Sequence, residues 1–135
     1  MKAKDVMTRD VRFIHSDASV EEAASMMMRH DVGALPVFRE GLVVGIVSDG
    51  DIVRRGLGQG RDPRRTRIAD VMSDRVPCCY EHQDVEEAAN IMSNKGVRVL
   101  LVVDERRRPV GILTLQDLAR GSRDGRLALT VLSSS

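Results

Sequence analysis

Gly45-Ile46-Val47-Ser48-Asp49-Gly50-Asp51-Ile52-Val53-Arg54 is written a second time, with substitutions, as Gly111-Ile112-Leu113-Thr114-Leu115-Gln116-Asp117-Leu118-Ala119-Arg120. In each copy a glycine leads into a short branched run and a hydroxyl residue follows. An aspartate stands three positions on, and apolar residues lead to an arginine. The pattern reads as a strand delivering a helix N-terminus. A Ser or Thr at the N-cap accepts from a backbone N–H of the first turn, and a carboxylate at N3 bonds back to the cap. The same unpaired N–H groups and positive dipole end can also hold an anion. Each pair can therefore be a helix cap, part of a ligand site, or both.

Working outward, most of the chain proves to be duplicated. A shift of 65 gives 13 identities in 34 positions between residues 5 and 38, and a shift of 66 gives 5 in 11 between residues 44 and 54. Chance would supply roughly one in sixteen at ordinary residue frequencies, so the repeat is real. The extra residue falls where Arg39-Glu40-Gly41 faces Asp104-Glu105-Arg106-Arg107-Arg108, a turn, which tolerates insertion.

Each copy predicts the same order of elements. Short lead-in turns at 4–7 and 68–72 precede extended segments at 11–14 and 76–80. Ser19 and Asp84 are N-cap residues, with Glu22 and Glu87 at N3. Helices then run over 20–30 and 85–95, with Val20, Ala23, Ala24, Met27 and Val85, Ala88, Ala89, Met92 as apolar stripes that lie on a sheet. Strands follow at 34–38 and 99–103, then 42–47 and 110–113, each pair a hairpin. Second helices run over 48–57 and 114–120. The fold class is α/β (α+β): tandem β-α-β-β-α repeats related by a pseudo-twofold. The segments are repeat 1 at 1–57, a Gly- and Arg-rich linker at 58–67, repeat 2 at 68–121 and a tail at 122–135, whose Ser133-Ser134-Ser135 end is expected to fray.

Composition narrows the function classes. At 135 residues the chain can bury a core without metal or disulfide, and 42% hydrophobic with 30% charged residues marks a globular protein. With aromatics at 2%, namely Phe13, Phe38 and Tyr80, the core must be aliphatic, and few rings remain for stacking on bases. A net charge of +1 draws the protein to neither nucleic acid nor an acidic lipid surface. Adjacent Cys78 and Cys79 suit a reducing compartment better than a disulfide framework. No leader-like or membrane-spanning apolar run is present, so a cytoplasmic location is expected.

The coincidence of Asp5-Val6-Met7 and Asp70-Val71-Met72, Val-Glu-Glu-Ala-Ala at 20–24 and 85–89, Gly33-Ala34-Leu35-Pro36-Val37 and both opening stretches resembles a pair of CBS domains, together a Bateman module, over residues 3–120. The resemblance implies clefts that in many relatives bind adenosine-containing ligands. Asp51 and Asp117 would then hold ribose hydroxyls, with Ser48 and Thr114 on ribose or phosphate. The backbone around Ile14, His15, Ala34 and Leu35 would clasp the base in the first copy, and that around Cys79, Tyr80, Val99 and Leu100 in the second. Arg98 and Arg120, with Arg54 and Arg55, are the nearby cations for phosphate, and because Arg98 faces Gly33 in the repeat the two sites should differ. Pro36 becomes Leu101, a departure that removes no site residue.

These readings imply a sensor of an adenosyl ligand, of the AMP, ADP, ATP, NAD or S-adenosylmethionine type, signalling to a protein partner in trans as a homodimer built on the helices that start at Val20, Val85, Ser48 and Thr114. The other class is a ligand-free structural dimer acting as an interaction module. His15, His30 and His82 have no metal-ligand spacing, so no metal is expected, and no nucleophile stands beside a base, so no enzyme. The arginines at 61, 64, 65, 67 and 106–108 read as solvated loops rather than a nucleic-acid surface.

Overall fold

A computed structural model describes residues 1–121 and 125–133. It resolves two compact units. One is contiguous, residues 12–76; the other joins residues 1–11 to the chain from Pro77 onward.

In the contiguous unit β1 (Ile14–His15), β2 (Ala34–Arg39) and β3 (Leu42–Ser48) form a sheet in that order, β1 parallel and β3 antiparallel to β2. Glu40 and Gly41, with φ of 52° and 78°, turn the β2–β3 hairpin; positive φ at both central positions is what a two-residue hairpin with the strands' own twist requires. Helix α2 (Val20–His30) lays Val20, Ala23 and Met27 on Leu35, Val37 and Val47, and Ile52, Ile68 and Val71 close the core. Ser19 Oγ accepts from Glu22 N–H at 3.1 Å, the expected cap.

The other unit repeats the plan with β4 (Cys78–Tyr80), α4 (Val85–Lys95), β5 (Val99–Val103), β6 (Pro109–Thr114) and α5 (Leu115–Gly121). Its core holds Cys79, Val85, Ala88, Ala89, Met92, Leu100, Val102, Leu113 and Leu118. Both sheets carry a bulge at the same repeat position, Val37/Phe38 and Val102/Val103. The one-residue difference in hairpin length is absorbed by Asp104, whose carboxylate accepts from Arg106 N–H and Arg108 N–H, both at 2.9 Å.

Departures from the sequence expectations have local causes. Asp84 makes no cap bond; its carboxylate pairs with Lys2 at 3.1 Å instead. The first strands are shorter than expected, and β1 is shorter than β4 because of Pro36: its counterpart Leu101 donates its N–H to Pro77 O at 2.9 Å, a bond that proline cannot make. The expected helix over 48–57 is α3 (Asp49–Asp51), then a π-helical turn over Ile52–Gly56 and a 3-10 turn over Leu57–Gln59. The tail forms a further helix, α6 (Arg126–Leu132), on α4 and α5. Ser133, expected to fray, closes it by donating N–H and Oγ to Leu129 O at 2.9 and 2.6 Å. Ser134 and Ser135 lie outside the described residues.

The lead-in segments are exchanged. Ser73, at the start of the second repeat, bridges Ile46 of β3 through N–H···O bonds of 2.9 and 3.0 Å, while Thr8, its counterpart, bridges Ile112 of β6 at 2.8 and 2.9 Å. Helix α1 (Ala3–Val6) accordingly belongs with α5 and β6. The compact units are thus cut at 11/12 and 76/77, whereas the sequence repeats divide at the linker 58–67.

Candidate functional site

β3 ends at Ser48 and turns at once into α3. Ser48 Oγ accepts from Asp51 N–H at 3.1 Å, and the Asp51 carboxylate accepts from Ser48 N–H at 2.9 Å. Thr114 and Asp117 form the same reciprocal pair at 3.1 and 2.9 Å. The first helical N–H after each cap goes to the carbonyl that precedes the middle strand: Asp49 to Gly33 and Leu115 to Arg98, both at 3.0 Å. Each hydroxyl and carboxylate therefore stand at the start of the middle strand, Ser48 opposite Ala34 and Thr114 opposite Val99.

The residues expected to clasp a base divide into two groups. Ala34, Leu35, Val99 and Leu100 lie beside the caps, but the side chains of Leu35 and Leu100 are core, which leaves their backbone to face a ligand. Ile14-His15 and Cys79-Tyr80 do not join them. Ile14 pairs with Val37 and Cys79 with Val102, three residues along the middle strand, or about 10 Å away. Ile14 and Cys79 are core residues, and His15 packs its ring edge-on against Phe38 at 5.2 Å. In the second copy Pro77, whose carbonyl accepts from Leu101 N–H, is nearer the junction than Cys79-Tyr80.

The two junctions differ in how far the protein itself uses the carboxylate. Asp117 is 1% exposed. Besides Thr114 N–H it accepts from Arg120 Nη2, and the Thr8 hydroxyl lies 3.4 and 3.5 Å from its two oxygens. Thr8 was not among the expected residues; its signal was the hydroxyl at the same repeat position in Ser73. Ser73 Oγ, however, donates to Arg75 O at 3.3 Å. Among the described residues the Asp51 carboxylate takes only the Ser48 N–H, and its side chain is half-buried rather than sealed.

Charge divides the junctions as well. The first gathers exposed Asp49 beside Gly33, with Asp51, against Arg54, whose guanidinium lies over Gly50. Arg55 is committed elsewhere, donating to Met72 O at 3.1 Å. The second pairs Arg120 with Asp117 and has exposed Arg98 just before its middle strand. Excess acid thus marks the first junction and excess arginine the second.

Among the described residues no group of three or more His, Cys, Asp or Glu could hold a metal ion, and no helix is long and apolar enough to cross a membrane. Neither Cys78 nor Cys79 is in a disulfide. Burial first, and the neighbouring Cys78 second, push the Cys79 thiol from 9.0 up to about 11. Folding therefore favours its neutral form. That contribution is fully present below about pH 9 and is lost as pH rises toward 11. Urea midpoints should fall across this window for the native chain and fall less for Cys79→Ala; an equal fall in both would refute the assignment.

Paired three-stranded sheets, each delivering a capped helix to a polar junction at a strand end, define a class of α/β regulatory module. The chain belongs to the CBS domain family, whose model matches residues 3–58 and 68–124. It is 38% identical over 116 residues to the CBS domain-containing protein YhcV of Bacillus subtilis, covering 86% of this chain and 81% of that one. A conserved CBS domain protein of unknown function from Thermoplasma acidophilum superposes with a TM-score of 0.87 at 29% identity, over 99% of this chain and 75% of that chain. A CBS domain pair solved in complex with 5′-methylthioadenosine and S-adenosyl-L-methionine superposes at 0.78 with 32% identity, over 89% of this chain and 94% of that one. The tandem CBS pair inferred from the sequence is therefore the fold observed.

Proposed function

We propose that the chain is a cytoplasmic sensor that takes an adenosyl ligand at the Ser48–Asp51 junction and signals to another protein as a homodimer. The observation that carries this reading is the state of Asp51. A carboxylate held by one backbone N–H and otherwise half-open can accept both hydroxyls of a ribose, as charge-assisted bonds. The complex of a related CBS pair with one adenosyl thioether and one adenosyl sulfonium compound supports the ligand class. Asp49 beside Gly33 favours a neutral or cationic group attached to the ribose over a phosphate.

A specific observation favours the structural reading for the second junction. Asp117 is occupied by its own chain through Thr114, Arg120 and Thr8. That junction serves as an internal fastening, and Arg98, an exposed residue, is the one that would recruit an anion there.

Calorimetric titration with S-adenosylmethionine, 5′-methylthioadenosine, AMP, ATP and NAD tests this. At least one of the first two should saturate one site per chain. Asp51→Ala should weaken it about a hundredfold, the equivalent of two lost charge-assisted bonds. Flat titrations across the panel would overturn the sensor and leave the ligand-free interaction module.

A further inference from the structure

The duplication makes each junction a control for the other, and two groups at matching repeat positions take opposite states in the two copies. Arg120 donates Nη2 to Asp117, whereas its counterpart Arg54 has no bond to Asp51 among the described residues and lies over Gly50. The Thr8 hydroxyl stands 3.4 and 3.5 Å from the two Asp117 oxygens, whereas its counterpart Ser73 donates Oγ to Arg75 O. Both carboxylates keep the same cap bond, so these two contacts are what separates sealed Asp117 from half-open Asp51. Thr8 is delivered by its backbone. Its N–H and carbonyl bridge Ile112, two residues before Thr114, within the unit that the lead-in 1–11 completes. Its side chain is free of that task. A hydroxyl shared between both oxygens of a carboxylate makes the contact that a ribose hydroxyl would make, and at these distances the bond is long enough to be displaced.

We propose that Thr8 is a built-in competitor: its hydroxyl holds on Asp117 the place of a ribose hydroxyl, so that the lead-in segment keeps the second junction shut while the first stands open. What it shuts out is a ribose bearing an anionic group. Displacing Thr8 leaves Asp117 to accept from the ribose, and Arg120, whose side chain is 70% exposed and can rotate, to turn to the anion. Exposed Arg98, whose carbonyl accepts from Leu115 N–H, adds a second cation beside the junction. The first junction, with Asp49 beside Gly33, carries the opposite preference. Thr8 therefore decides both how many ligands the chain takes and of which charge.

The inference rests on the reading above for its ligand class but is measured at the other junction. AMP, a ribose monophosphate, is the probe, titrated calorimetrically into the full chain carrying Asp51→Ala so that the first junction is out of play. In that background Thr8→Ala should bind AMP at one site about tenfold more tightly than the chain with Thr8, the equivalent of one released hydroxyl–carboxylate bond. Thr8→Ser, which keeps the hydroxyl, should match the chain with Thr8. Adding Arg120→Gln to Thr8→Ala should remove the gain. The bridge to Ile112 is made by backbone, so these variants should keep a cooperative melt. If Thr8→Ala binds AMP no better, if Thr8→Ser gains as much, or if Arg120→Gln leaves the gain intact, the competitor is overturned. A chain with Asp51 that ignores the adenosyl panel, while Thr8→Ala takes AMP, overturns the sensor at Ser48–Asp51 and keeps the competitor. Flat titrations in every variant overturn both.

Discussion

Gly45→Val should destabilise the protein by about 3 kcal/mol and lower its melting temperature by roughly 10 °C. A Cβ at Gly45 would stand 2.5 Å from Ser73 O and 2.7 Å from Met72 Sδ. The oxygen cannot step aside, because Ser73 is tied to Ile46 by two backbone bonds. Gly50→Ala provides the contrast. There a Cβ would meet Arg54 Nη1 at 2.7 Å, nearly as close, but the neighbour is the end of a long exposed side chain that can rotate away. Differential scanning calorimetry of the two variants decides between backbone and side-chain obstruction. A Gly45→Val melt within 2 °C or so of the native chain would contradict the account, since overpacking against fixed backbone ordinarily costs 1 kcal/mol or more.

The second large effect falls on Asp117. Asp117→Ala removes the acceptor for Thr114 N–H and for Arg120 and leaves the Thr8 hydroxyl without its carboxylate. With the carboxylate sealed from water, the expected cost is about 2–3 kcal/mol. Little of that comes from Arg120, whose side chain is largely exposed, so the pair is screened. Asp51→Ala removes a half-open cap and should cost about 1 kcal/mol. Urea titrations at constant m-value give both numbers. Equal losses would show that the two junctions, unlike in their contacts, are alike in energy.

These predictions also mark which features were legible in the chain. The reciprocal caps Ser48–Asp51 and Thr114–Asp117 were, because a cap is written within four residues and the duplication repeats it. The strand pairings were, because near-continuous Val, Leu and Ile bounded by turn residues leave little choice of element. Asp84 misled, since its competing partner Lys2 is remote in sequence. The π-helical turn over Ile52–Gly56 misled for another reason: its counterpart over Leu115–Gly121 is a regular helix, and repeat logic carried that regularity across. The offset of Ile14 and Cys79 from the caps depended on parallel register, which no turn fixes. As for the site residues, type and spacing identified Asp51 and Asp117 alike, whereas the Thr8 hydroxyl that distinguishes them arrives from a hundred residues away.

The exchange of lead-in segments makes synthesis asymmetric in time. Residues 12–76 are contiguous and have all their internal partners once Val76 has left the ribosome. Residues 1–11, made first, find theirs last, for Thr8 waits on Ile112 and Asp117, and Val6 on Gly121. The nascent chain therefore holds one finished unit between an unpaired leading segment and an unmade trailing one. Closing the second unit means bringing residues 1–11 to the chain from Pro77 onward, a loop closure across residues 12–76. A chaperone or a tag that holds the first eleven residues would delay the second unit and spare the first.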